Sequence, residues 1–548
     1  MPEPTVEPSA ASRRARRRER ERQKRRRRVF AIGGAAVVLA AAVGVWQLTT
    51  GSDDDAAKVE TADTTSTTAG TTTTTQPALQ APYSQAVKDE NAKPGTGDWR
   101  LTNDGAEHDM EGYLNVTSAQ RGETVTLYAS TTAPSFTIAA YRMGWYQGLG
   151  GRLVWTSDTI AGGRQAAATR IAATNTYEAN WEPTTQFPIG QDWPDGSYLL
   201  KLTSANGIQR WVPLTVRNDA STAAYVIVNA VSSWQAYNRW GGCSLYDCNA
   251  AGGQGERSQM VSFDRPDDRT TDGSGDFIGN ELPLLMRAEE SNFDVTYMTS
   301  IDLQQRPQLL KQHKAMLSLG HDEYWSKEMF DGAEGARDSG VNLAFLGANA
   351  VYRQVRFEPS AVGPDRHMVN YRSVADPIRR TDPARTTVSF RDSPVNRPEA
   401  QLIGQQYQCN PVRADGIVIE PQSWIFANTG LGQDAHIEIL VGSEYDQYIH
   451  GQGGPDNIEI VAHSPVNCRG RAGYSDVTYY TAPSGAGVFA TGTNYWVSKL
   501  EPPTFPKTAY NPVIVTVTNN VLLAFGTGPA GQAHPSQPNW QGLPGTGG

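Results

Sequence analysis

The 548-residue chain lacks the short signatures that mark most familiar catalysts. There is no Gly-x-Ser-x-Gly turn, which excludes a serine nucleophile raised on a strand-to-helix elbow. There is no His-Glu-x-x-His and no P-loop lysine pattern, which removes two common designs for metalloproteases and nucleoside triphosphatases. "GTGPAG", Gly526 to Gly531, has the spacing of a dinucleotide loop, but Pro529 interrupts it and no helical segment follows. Cysteine is scarce: Cys243, Cys248, Cys409 and Cys468 are the only four, and none stands at a strand-to-helix turn, which argues against acyl transfer through a thioester. An even count in a region expected to be exported favours disulfides over zinc, with Cys243–Cys248 and Cys409–Cys468 the simplest of three pairings.

Beyond residue 48 the chain also lacks excess positive charge. Residues 1–28 carry 12 Lys and Arg against Glu3, Glu7, Glu19 and Glu21, a charge of +8, and the whole chain is at −9, so the remainder stands at −17. Such an acidic remainder predicts no nucleic-acid partner for the folded part. The basic tail is followed by an uncharged apolar run over residues 29–48, long enough to cross a bilayer core. Arginines before it predict a cytoplasmic N-terminus, a single-pass signal anchor in the cell membrane and folded domains outside. A cleaved signal peptide is the competing reading. Residues 49–82 are threonine-rich, have no apolar period and read as a disordered tether.

Two grammars follow. Over residues 83–219, "ETVTLYAS", "FTIAAYRMG", "SYLLKLTS" and "RWVPLTV" alternate apolar and polar residues between turn signals, which predicts an immunoglobulin-like β-sandwich. Its aromatic stretch "YRMGWYQGLGGR" could bind sugar or a partner, but packing against the next domain is the better expectation. Over residues 223–528 the short β-branched runs "AYVIVNA", "FDVTYMT", "KAMLSLG" and "VNLAFLG" alternate with helix-like segments, which predicts an α/β fold with a parallel sheet. Ser326 is a fitting helix N-cap, and Gly340 a fitting C-terminal glycine. "NPVIVTVTNNVLLAF" reads as a helix followed by a strand, and residues 529–548 as a flexible tail.

Ligands of open α/β sheets bind beyond the carboxyl ends of the strands. Three polar clusters fall there: "SSWQAYNRWGGCSLYDC" with Tyr237 and Tyr246, "GHDEYW" with His321, Glu323 and Tyr324, and "LGANAVYR" with Asn349, Tyr352 and Arg353. Two phenolates and a carboxylate suit a hard, highly charged cation such as ferric iron. A free tyrosine titrates near 10, so only a strongly polarising metal would draw phenolates at neutral pH. His321, two residues from Glu323, could act as base or orient a water. Tyr324 and Trp325 read as pocket wall.

At these residues the chain resembles the large (beta) subunit of N,N-dimethylformamidase, in its C-terminal catalytic region, through "WQAYNRWGG-SLYD", "GHDEYW" and "FLGAN" over residues 223–525. The resemblance implies one Fe(III) per chain held by Tyr237, Tyr246 and Glu323, with His321 and Asn349 beside the substrate, and hydrolysis of a small amide to an acid and an amine. It also implies a core like that of the class I glutamine amidotransferases. Departures are Asp322 in place of a proline and a much shortened segment between the two tyrosines, where a Cys243–Cys248 bridge would pin Tyr246 in a small loop and either orient its phenolate or remove it from the site. The expectation is therefore an anchored, extracytoplasmic, iron-dependent amidohydrolase. The alternatives are a non-catalytic envelope module that binds a glycan or protein partner, and a carbohydrate enzyme using Glu323 with Asp276 or Asp302. His367, His436, His450 and His463, in the hard-to-read region 355–485, are further candidates to enter the site.

Overall fold

The computed structural model describes residues 82–248, 256–373, 375–503, 505 and 509–547, and residues 76–548 form one compact unit. The basic tail, the apolar run 29–48 and the threonine-rich segment lie outside the described residues. Single-pass anchoring, expected from that run, is corrected: among the described residues no helix is long and apolar enough to cross a membrane.

The structure is sheet-rich and mixed. Its first part packs a three-stranded sheet (Met110–Leu114, Thr124–Thr131, Thr185–Pro188) against a six-stranded one in which Ser135–Met143, Gly196–Ser204 and Gln209–Val216 are neighbours. The alternation seen in the sequence explains this, because every second residue (Val125, Leu127; Ile138, Ala140; Leu200, Leu202) enters one shared core.

The second part is built on seven strands: β1 (Tyr225–Asn229), β2 (Val295–Thr299), β3 (Ala315–Gly320), β4 (Asn342–Gly347), β5 (Glu459–Cys468), β6 (Arg471–Thr481) and β7 (Gly487–Ala490), in the order β2-β1-β3-β4-β7-β6-β5. The pairs from β2 through β7 are parallel, while β7-β6 and β6-β5 are antiparallel. Both faces are covered, so the strands are apolar throughout: Tyr225 and Ile227 enter one core, and Val226 and Val228 enter the other. Helices α1 (Val231–Tyr237), α2 (Leu282–Glu290) and α3 (Lys327–Arg337) follow or precede these strands. Ser326 caps α3 by accepting from Met329 N, and Gly340 takes φ +96° just beyond the helix.

Two expectations are revised, and a third is met. "NPVIVTVTNNVLLAF" is one 14-residue helix, α4 (Pro512–Phe525), capped by Asn511. Its β-branched residues suggested a strand, yet Ile514, Val517, Thr518, Val521, Leu522 and Phe525 recur at helical spacing and are the buried ones. The C-terminal residues do not stand free: Trp540 is buried and donates to Asp456 O at 2.8 Å, and His450 N donates to Thr546 O. The aromatic stretch of the first part is turned inward. Tyr146 is fully buried, donates to Glu90 Oε1 at 2.8 Å and accepts from Arg142, whose guanidinium meets Glu289 of α2 at 2.6 Å.

Candidate metal centre and its cleft

The polar turn after β3 depends on two glycines. Gly320 ends β3 at φ +58°, a conformation that disfavours any side chain. Its partner in register is Gly347, the last residue of β4, where a Cβ would run into Gly320 O. This close approach lets His321, Asp322 and Glu323 cross over the strand ends. The turn does not lead straight into α3, because Tyr324–Ser326 first pairs in parallel with Arg353–Val355. The turn's other side is tied to α1: Ser233 Oγ accepts from Glu323 N at 2.9 Å and from Tyr324 N at 3.3 Å, and Ser232 Oγ donates to Tyr324 O at 2.8 Å.

The start of α1 has no side-chain cap of its own. Glu281, buried just before α2, takes that place by accepting from Ala230 N at 3.1 Å, Trp234 Nε1 at 2.8 Å and Asn229 Nδ2 at 2.6 Å. Burial pushes its carboxyl up to about 8 against those three donors. Glu281 thereby anchors the helix that ends in Tyr237.

All three expected ligands meet. Tyr237 OH and Tyr246 OH donate to the same Glu323 oxygen, Oε2, at 2.7 and 2.6 Å, and stand 2.6 Å from each other. The two rings stack at 4.4 Å. Tyr246 belongs to the loop closed by the Cys243–Cys248 disulfide, and Cys409 is bonded to Cys468, as the simplest pairing expected. Arg372 covers the Tyr246 ring at 4.2 Å and donates to Tyr324 OH, which donates to Tyr246 OH at 2.8 Å. Burial, then the Glu323 carboxylate, pushes both phenols well above the ordinary tyrosine range. Three oxygens therefore converge on one point, two of them on acids too weak to ionise without strong help. That donor set fits a hard, highly charged cation better than a soft one.

His321 Nε2 lies 3.5 Å from Tyr237 OH and 3.6 Å from Glu323 Oε2. Its closer partner is Glu444 Oε2, at 3.3 Å, from the long strand His436–Gln447. Burial would lower the imidazole, but Glu444 and then Glu323 and Asp276 outweigh it and raise it to about 9. Glu444 is buried, accepts from Asn410 Nδ2 at 2.6 Å and is held below the usual carboxylate range by His321, Asn410 and Asn349 despite its burial. Glu444 was not foreseen from the sequence; "EILVGSEYDQ" carries no motif, and only a buried acid within an apolar strand marks it. Asn349 sits at φ +58°, its backbone N–H held by Asp446 at 2.8 Å and its Oδ1 without a hydrogen-bond partner.

These groups line a cleft of about 910 Å³. Tyr324 and Trp325 are not among its walls: Tyr324 stands behind Tyr246, and Trp325 is buried in the core on the other face of the sheet. Asp276 lines the cleft, whereas Asp302 accepts from the backbone of Thr299, the N-cap of the helix Ser300–Gln305, and pairs with Arg217 and Arg306. None of the four further histidines reaches it. His367 pairs with Glu178, His436 with Asp415, His450 with Asp456 and His463 with Asp476. Two other groups, Glu107–His108–Glu111 and Glu178–Asp264–His367, bring ligand atoms within 4.8 Å of one another, so acidic and histidine sets able to hold a metal occur elsewhere too.

No curated protein matches the chain. Among solved structures, an uncharacterized protein from Bacillus anthracis str. Ames is 16% identical over 21% of this chain and 84% of its own, with a TM-score of 0.13. A cycloisomaltooligosaccharide glucanotransferase from Paenibacillus sp. is 8% identical over 46% of this chain and 57% of its own, with a TM-score of 0.15. Neither superposition is close enough to bear on fold or activity. The model of the N,N-dimethylformamidase beta subunit-like, C-terminal family is another matter, for it matches residues 137–510, starting inside the strand Ser135–Met143 and taking in every residue of the cleft described above. The chain belongs to that family of dimethylformamidase-like hydrolases.

Proposed function

We propose that this chain hydrolyses a carbon–nitrogen amide bond with the help of one ferric ion held by Tyr237, Tyr246 and Glu323. The observation that carries the reading is the meeting of the two phenol oxygens and Glu323 Oε2 within 2.7 Å, beside the His321–Glu444 pair. Ferric iron bound there would polarise the amide carbonyl and acidify a water. The remaining work falls to the chain's own side chains. His321 Nε2 and Glu444 Oε2 form the proton store: the imidazolium, held protonated by Glu444, gives its proton to the leaving nitrogen and recovers one from the attacking water. The C–N bond breaks, a C–O bond forms, and the products are a carboxylic acid and an amine. Asn349, which lines the cleft and whose buried Oδ1 has no partner, orients the amide. The finer fold reading goes with this proposal: a sheet of the class I glutamine amidotransferase type behind an immunoglobulin-like sandwich.

The test is metal content and colour. The purified chain loaded with ferric iron should bind one iron and show the purple-brown charge-transfer band of ferric tyrosinate, and amides should release free amine. A colourless protein that takes up no iron, and whose Tyr246→Phe and Glu323→Ala variants are indistinguishable from the parent, would overturn the reading.

A further inference from the structure

The cleft is far larger than a small dialkyl amide requires. At about 910 Å³ it lies near the top of the range of roughly 300–1,000 Å³ typical of small-molecule pockets. Its lining is also unlike an ordinary pocket. Small-molecule sites are mostly apolar, yet none of the described residues around this one is aliphatic. The carbon surface offered is aromatic: Trp234, Tyr352, Tyr407 and Tyr495 join the two ligand tyrosines. The remainder is a set of side chains that donate and accept, including Asn238, Asn280, Asn410 and Asn494, with Asp267 and Asp276. A flat ring with both C–H faces and hydroxyl edges suits this mixture of aromatic faces and polar side chains, because the faces can cover its carbons and the polar groups can pair with its hydroxyls.

Apart from Glu444 Oε2, which faces His321 Nε2 at 3.3 Å, two buried polar atoms of the cleft residues have no hydrogen-bond partner. Asn349 Oδ1 accepts nothing, and Asn349 is only 4% exposed. Arg353 Nε donates to nothing, with Glu323 Oε1 3.7 Å away. Both atoms are covered from solvent, so a bound molecule reaches them only by shifting their neighbours, and one that satisfies both must bring an N–H or O–H donor and an oxygen acceptor. A tertiary dialkyl amide has no N–H, and a secondary amide has both.

The cleft does not end at the strand tips. Arg239, Asp268 and Thr270 line it and also line a second groove of about 670 Å³, which runs on to Trp181, Glu111 and Arg164 of the sandwich part. The second groove thus adjoins the cleft across a wall of three polar residues.

From this lining we infer that the substrate is an N-acylated amino sugar within an oligosaccharide, its rings lying against the tyrosine faces and its acyl amide at the phenol–carboxylate centre. The inference rests on the amidohydrolase reading above and adds the substrate class. In the reaction, water's oxygen bonds to the acyl carbon, the C–N bond breaks and the nitrogen takes a proton, leaving a free amino sugar and a short carboxylic acid.

The experiment uses the full chain in two forms. On metal-free protein, calorimetry would compare β-1,4-linked tetra-N-acetylglucosamine, the N-acetylglucosamine monomer, the de-N-acetylated tetramer, N,N-dimethylformamide and tetra-alanine. On iron-loaded protein, amine release from the same compounds would be followed. The expected result is binding of the acetylated tetramer, tighter than the monomer and lost for the de-N-acetylated one, with release of acetate on iron loading. Tyr407→Ala should weaken that binding about tenfold, while Tyr407→Phe keeps it. Binding of the acetylated tetramer without hydrolysis of any amide keeps the N-acylated sugar as the cleft's ligand and overturns the amidohydrolase reading, and with it the sugar's role as substrate. Preferential hydrolysis of N,N-dimethylformamide or tetra-alanine, with no binding of the sugars, leaves the amidohydrolase reading standing and overturns this one.

Discussion

Glu444 reaches His321 from a strand outside the parallel sheet, its Oε2 3.3 Å from the imidazole Nε2. The pair lies beside the phenol–carboxylate cluster without belonging to it, so proton handling and metal holding can be separated by mutation. Glu444→Gln should leave iron content and the tyrosinate band intact while reducing amine release by about 10²–10⁴-fold, the usual contribution of a positioned acid–base group. Loss of colour together with activity would instead make Glu444 part of the metal centre.

Iron uptake should be steeply pH-dependent. Burial and the Glu323 carboxylate keep both phenols protonated in the metal-free chain, so binding as phenolates must expel two protons. Apparent affinity should therefore rise with pH, by about a hundredfold per unit while both protons are released. Proton release measured in weak buffer during iron titration checks this. Fewer than one proton per iron would mean that the phenols do not bind as phenolates.

Ser233 supports the turn by accepting from the backbone of Glu323 and Tyr324. Ser233→Ala leaves buried N–H groups without that acceptor, which should cost about 1–3 kcal/mol of stability and loosen Glu323. Urea denaturation and iron affinity should both fall. A loss of stability with unchanged iron affinity would show that the turn keeps its shape without Ser233.

Glu281 predicts a pH slope. Its carboxyl is pushed up to about 8 in the folded chain, whereas an unfolded glutamate titrates near 4.3. Between those values the folded state holds a proton that the unfolded state has released, so this group makes stability fall as pH rises from about 5 to about 8. The contribution is favourable to folding at the acid end and lost toward the alkaline end. Glu281→Gln cannot ionise and should flatten that part of the profile, measured as the urea midpoint at each pH. An unchanged slope would mean that the three donors hold Glu281 ionised throughout.

Gly347→Ala places a methyl group against Gly320 O, and neither strand can move without shifting the parallel sheet. A loss of about 3 kcal/mol or more is expected, at the upper end for overpacked cores. Thermal melting reads it directly; a variant as stable as the parent would show that the strand ends can part.

Much of this architecture was legible in the residues. The runs at Tyr225–Asn229, Ala315–Gly320 and Asn342–Gly347 are apolar at consecutive positions, which only a sheet buried on both faces explains. Tyr237, Tyr246 and Glu323 were legible through the motifs "WQAYNRWGG-SLYD" and "GHDEYW", although Tyr237 closes α1 and Tyr246 lies in the loop beyond it. Glu444 was not, since it lies in a long strand whose contact with His321 depends on tertiary folding alone. Helix α4 was misread for a related reason: its β-branched residues favour a strand locally, and burial of one helical face against Tyr225 and its neighbours decides otherwise. The walls assigned to Trp325 failed because successive residues of the short strand Tyr324–Ser326 point to opposite sides.

The buried contact between Arg142 and Glu289 limits how this chain can be taken apart. Glu289 also accepts from Tyr297 OH and Asn91 Nδ2, and both members of the pair are almost wholly removed from solvent. Cutting the chain between its two parts would strand a carboxylate in the body that carries the cleft, at a cost of about 3–5 kcal/mol for one lost partner. The sandwich is thus a permanent counter-ion for the catalytic body and not an exchangeable accessory. Genetic shuffling would have to carry Arg142 along with the catalytic half, and a family boundary at residue 137 does so.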